Sequence, residues 1–205
     1  MDPFDPPYLS GQLVSIGAGG HLTLRLSEAA LNSPSNPFGL DFIVFGNSGF
    51  IITNGDFSGG GITDGTLFGA SSGVTRVSVS ADNINYFVLN PGLTPAVDGA
   101  FPTDGLGNFQ LPVNPALALG DFAGQDLAGI RSLYHGSGGG TGFDLSWARD
   151  GEGNPTALDS VRYVRFDVLS DKIEIDGITA VPEPSTWSGL LLAGVLALIR
   201  RYARR

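Results

Sequence analysis

Apolar and polar positions alternate in short runs along most of the chain, with the period of half-buried strands. The clearest run is His21 to Leu26, in which Leu22, Leu24 and Leu26 share one face. Leu40 to Phe45 (LDFIVF) is apolar on both faces apart from Asp41, the pattern of a central strand. Val74 to Ser80, the turn Ala81-Asp82-Asn83 and the run Asn85 to Leu89 predict a hairpin. Val161 to Leu169 and Lys172 to Val181 predict a second strand pair, split by Ser170-Asp171. Short helical turns fit Ser27 to Asn32 and Asp144 to Ala148. Many short strands with few helical patterns predict an all-β domain over residues 8–181, an antiparallel β-sandwich or jelly roll.

The alternation stops near the C-terminus, where one hydrophobic helix is expected over residues 187–199. From Trp187 to Ile199 (WSGLLLAGVLALI) there is no charge, and Leu190, Leu191, Leu192, Val195, Leu196, Leu198 and Ile199 surround a helical axis. A helix apolar all round is suited to lipid; the alternative is a terminal helix packed on the domain. Its length, roughly 20 Å against about 30 Å of hydrocarbon, makes it a short span, which Ser185, Thr186 and snorkelling arginine stems extend. Arg200, Arg201, Arg204 and Arg205 form a basic stop at residues 200–205. They orient the segment with its C-terminus in the cytoplasm and the body on the far side.

Composition supports a folded body, because 42% of residues are hydrophobic, while 31 glycines and 13 prolines against 15% charged residues favour turns over helical bundles. Residues 1–181 carry seven basic and nineteen acidic side chains, net −12, whereas residues 182–205 are net +3. An acidic body has no basic face with which to displace counterions, so nucleic acid is excluded as a partner. The absence of cysteine removes disulfides, thiolate metal sites and cysteine nucleophiles. Residues 1–7 (MDPFDPP) have neither a basic nor an apolar region of a signal peptide. They are expected to be disordered, and export then implies a natural start further upstream.

Val181-Pro182-Glu183-Pro184-Ser185-Thr186-Trp187, the apolar block and the terminal arginines occur in the order that marks a known signal, and residues 182–205 resemble the PEP-CTERM sorting tail. The resemblance implies that Pro182, Glu183 and Pro184 are the tripeptide recognised by exosortase, an integral-membrane enzyme, with cleavage nearby. The protein would be the substrate, held at the membrane at least transiently. Less specifically, the strands DFIVF and VRYVRFDV, the hairpin VSVSADNINYF and the loop GGTGFDLSWA resemble the sandwich domain often preceding such tails. Galactose-binding-like sandwiches are the nearest architecture by analogy. The implied role is a structural or adhesive protein of the cell surface or extracellular matrix, without catalytic chemistry.

Other residues raise alternatives. A secreted hydrolase would need a base, and the histidines are His21, on an outward strand position, and His135, before the Gly136–Gly142 run. That run lacks the lysine and following helix of a phosphate-binding loop and is expected to be a flexible connection. Asp150, Glu152 and Asn154 place oxygens at alternate positions, a spacing that can wrap calcium, although Pro155 and Val161 replace the glycine and glutamate of an EF-hand; without an ion this is an acidic turn. Asp98, Asp104 and Asn108 are a second, sparser oxygen set. Phe101, Phe109, Phe122, Tyr134, Phe143 and Trp147 would either plug the sandwich ends or stack on extracellular polysaccharide, and Trp147 is the first choice for both roles. A calcium-assisted polysaccharide-binding module is therefore the alternative to a purely structural role.

Overall fold

The computed structural model describes residues 1–70, 73–97 and 101–184. Within them the protein is mostly β, built from antiparallel sheets, an arrangement consistent with a β-sandwich. Strands β1 (Val14–Gly17), β11 (Lys172–Ala180), β3 (Phe42–Gly46) and β8 (Thr141–Phe143) form one sheet in the order β1-β11-β3-β8. The other contains β2 (His21–Leu31), β10 (Ser160–Val168), β6 (Thr75–Ser80), β7 (Phe87–Leu89) and β9 (Ala148–Arg149), in the order β2-β10-β6-β7-β9. A small ribbon pairs β4 (Gly49–Phe50) with β5 (Leu67–Phe68).

Alternation explains how the two large sheets meet. Phe42 and Val44 from β3 and Ile173 and Ile175 from β11 share one buried cluster with Val77 and Val79 from β6 and Val164, Phe166 and Val168 from β10. Leu22 and Leu24 pack against that cluster and Leu26 lies inside it, so the alternating face read from β2 points inward. The β6–β7 hairpin also forms as its sequence predicts, with Ser78 opposite Val88 and Val79 opposite Phe87.

Two local expectations fail for the same reason. Residues 27–31 belong to β2 and not to a helical turn: a bulge lets Ala30 face Val161 while Arg25 faces Tyr163, and ladder pairing outweighs local propensity. The second expected strand pair is absent, because β10 and β11 lie in different sheets. Asp171, with φ 57, turns the chain between them, and both strands present alternate apolar residues to the same core from opposite sides. The 3₁₀ turn Leu145–Trp147 does form, with Asp144 accepting a hydrogen bond from the Ser146 amide at 2.7 Å.

The poorly patterned middle builds a second core of Phe50, Val113, Phe122, Ile130 and Tyr134. Helix α1 (Leu127–Tyr134) carries two of these, and Asp126 caps it by accepting from the Gly129 amide at 2.8 Å. Its signal was present as a cap residue followed by Leu127, Ile130 and Tyr134 at helical spacing, with Gly136 beyond the end. Residues 1–7, expected to be disordered, make specific contacts: Pro3 O accepts from the Phe50 amide at 2.8 Å and Phe4 packs on the second core. Three prolines restrict this segment, which lowers the entropic cost of fixing it against an apolar surface.

Candidate functional site

Strand β11 ends at Ala180, and the Val181 amide makes one more bond to the sheet, donating to Asp41 O at 2.9 Å. Val181 is buried beside Ile43 and Phe45, whereas Pro182, Glu183 and Pro184 are exposed. The tripeptide therefore leaves the domain directly from an interior strand, clear of the core. Trp187, Leu190, Leu191, Leu192, Val195, Leu196, Leu198, Ile199, Arg200, Arg201, Arg204 and Arg205 lie outside the described residues. Among the described residues no helix is long and apolar enough to cross a membrane.

Asp41 ties this exit to a neighbouring cavity. Its buried carboxylate accepts from the Ser33 amide at 3.1 Å, Asn36 Nδ2 at 2.9 Å and the Leu145 amide at 2.8 Å. Burial raises its carboxyl above the ordinary range, and the nearby Asp144 charge adds to that, although the three donors oppose it. By bonding both segments, Asp41 fixes turn 33–39 against turn 144–146. Between them is a cavity of about 440 Å³ lined by Asn32, Pro34, Asn36, Phe38, Gly39, Asp144 and Ser146. In sequence, this Ser-Asn-Pro-Phe-Gly turn carries one signal, a bulky residue where a proline-led turn commonly carries glycine or asparagine.

The residues singled out from sequence are scattered. Trp147 is half-buried and packs edge-on against Phe143 at 6.5 Å, on the margin of the main core. Phe122 and Tyr134 are enclosed in the second core, with Phe101 against them; Phe109 meets Phe45 edge-on at 5.2 Å. The Asp150 carboxylate accepts from the Glu152 amide at 2.9 Å and the Asn154 amide at 2.8 Å, while Asn154 Nδ2 reaches Glu152 at 3.4 Å. These bonds, with the Asn154 amide first, hold the Asp150 carboxyl below its ordinary range and close the loop on itself. The Asp150 oxygens serve the loop's own backbone, and Glu152 accepts from the Asn154 side chain. Asp104 is engaged by Arg131, whose Nε and one terminal nitrogen donate at 2.7 and 2.9 Å. Asn108 accepts from the Gln110 amide at 2.9 Å, and Asp98 lies outside the described residues. No group of three His, Asp or Glu side chains positioned to hold a metal occurs among the described residues.

His21 is exposed at the start of β2, opposite Asp167, and His135 is an exposed left-handed cap on α1. The glycine run after His135 is the reverse of a flexible connection. Residues 137–141 are buried, the Gly138 amide donates to Asn108 O at 2.9 Å, and the Gly140 amide donates to Phe101 O at 2.8 Å. Glycine is required because a Cβ on Gly139 would stand 2.2 Å from Pro102 O.

In comparisons with known proteins, the chain matches no family model and no curated sequence.

Proposed function

We propose that this protein is an exported structural or adhesive module of the cell surface or extracellular matrix, sorted through residues 182–205 by an exosortase-like membrane enzyme. The observation that carries the reading is the exposed Pro182-Glu183-Pro184 tripeptide, which follows an interior strand without an intervening linker. A membrane enzyme can reach it without unfolding the sheet. Val181, bonded to Asp41 O, is the residue immediately before the tripeptide and is held by the sheet. The apolar segment Trp187–Ile199 and the arginines after it supply the membrane stage of sorting, and the acidic, cysteine-free body is the part delivered.

Mass spectrometry of the C-terminal peptide in membrane and extracellular fractions of the native host tests this. A mature form outside the cell that ends near Pro182 and lacks Trp187 to Arg205 supports it. An intact tail on protein that stays in the cytoplasm overturns it.

A further inference from the structure

The cavity beside Asp41 is lined by acceptors. Asn32 Nδ2 donates to Leu158 O at 2.9 Å and Asn36 Nδ2 donates to Asp41, so both amides are oriented, each with one N–H engaged. Asn36 is 3% exposed, and its Oδ1 meets no donor among the described residues. A buried polar atom without a partner is rare in a folded protein and asks for an explanation. Asp144 uses Oδ1 to cap Ser146, and its Oδ2 lies 3.9 Å from where a Cβ of Gly39 would be. Ser146 contributes an exposed hydroxyl.

One wall of the cavity is aromatic. Phe38 is 54% exposed, with φ 60 and ψ 13, in a turn closed by the Gly39 amide donating to Asn36 O at 2.8 Å. A left-handed backbone is a genuine outlier for so bulky a residue, and its ring is not enclosed in any of the buried clusters. The fold thus tolerates strain to hold an apolar face beside oxygen acceptors. A volume of about 440 Å³ falls within the ~300–1,000 Å³ range of small-molecule sites.

We propose that this cavity binds one end or one ring of a neutral or amino-sugar polysaccharide. A sugar ring presents an apolar C–H face to Phe38 and hydroxyl donors, or an ammonium in an amino sugar, to Asp144 and Asn32. A uronate or sulfated glycan brings negative charge to a site that holds the Asp144 carboxylate on an acidic body and is disfavoured. A hard cation would use the same oxygens but has no use for the ring. The proposal names a ligand class for the matrix role, but it stands on the cavity and not on the tail, so it and the sorting reading can fail separately.

The test is calorimetric titration of the full chain, in a detergent without a sugar headgroup, with cellohexaose, mannohexaose, chitosan hexamer and galacturonate hexamer, each with and without calcium. Saturable binding of at least one of the first three, and none of galacturonate, is expected. Phe38→Gly should weaken that binding by about tenfold or more while thermal stability holds or rises, because glycine accepts the left-handed turn. Asp144→Asn, which keeps an oxygen to cap Ser146, should also weaken it by about tenfold. Binding of none of the oligomers, preference for galacturonate, indifference to Phe38→Gly, or saturation of the site by calcium alone would each overturn the proposal.

Discussion

Arg131 and Asp104 show how a charge is placed inside a glycine-rich fold. Burial pushes the Asp104 carboxyl up, but the Arg131 hydrogen bonds, the Leu106 amide and the guanidinium charge outweigh it and hold the carboxyl below its ordinary range. A carboxyl depressed in the folded state contributes stability that is fully present above its unfolded value, about 3.9, and is lost as pH falls through the folded value. Asp167 beside Arg165 and Glu174 beside Lys172 are depressed as well, again against a burial effect. The Asp104 share is therefore read as a difference between proteins. Arg131→Met should cost about 2 kcal/mol at pH 7, less than a fully buried pair because Arg131 is a third exposed. That difference should shrink as pH drops below about 4, measured as urea midpoints of variant and parent. A gap that stays constant with pH would mean that Arg131 acts through packing alone.

At the scale of elements, the run Gly136–Gly142 decides how the chain closes. It passes beneath residues 101–108 and over the second face of β3, where a Cβ on Gly140 would stand 2.6 Å from Ile43 Cγ2. This close approach is how a strand apolar on both faces becomes buried on both. Gly139, with φ 83 and Pro102 O next to it, has no room for any side chain. Gly139→Ala should destabilise by at least about 2 kcal/mol, from left-handed strain and a backbone clash together. Gly151→Ala, which meets open space, should change little. Equal unfolding midpoints for the two variants would show that the run is loose enough to yield.

At the scale of the whole molecule, the described residues form two principal cores with different origins. The larger is shared by the two sheets, while the smaller gathers residues 4, 50, 101, 113, 122, 130 and 134 from distant stretches of chain. Phe122 is at the centre of the smaller one, with Phe50 at 4.9 Å and Tyr134 at 5.8 Å. Phe122→Ala should cost about 3–5 kcal/mol locally. Hydrogen exchange should then show lost protection over α1 and residues 1–7, with β10 and β11 unchanged, because the cores share no residue. Uniform loss of protection across both sheets would show that the cores unfold as one.

Strands with a strict period were legible from the sequence alone. Leu22, Leu24 and Leu26 point inward, the FIVF of LDFIVF lies in an interior strand, and the hairpin turns at Asp82, whose carboxylate accepts from the Ile84 and Asn85 amides. These features depend on neighbours within a few residues, and the sequence holds that information. The composition and order of the last two dozen residues are also sequence properties, which is why the sorting resemblance needs no fold. Only the tertiary structure could separate β10 from β11, convert a glycine run from an expected loop into buried backbone, and order residues 1–7. It also showed the hydrogen bonds inside the 150–154 loop and brought Phe38 and Asn36 to Asp144, more than a hundred positions along the chain. Each of those outcomes is set by contacts between segments far apart in sequence, where the energy of pairing and burial exceeds the local preference that a sequence pattern records.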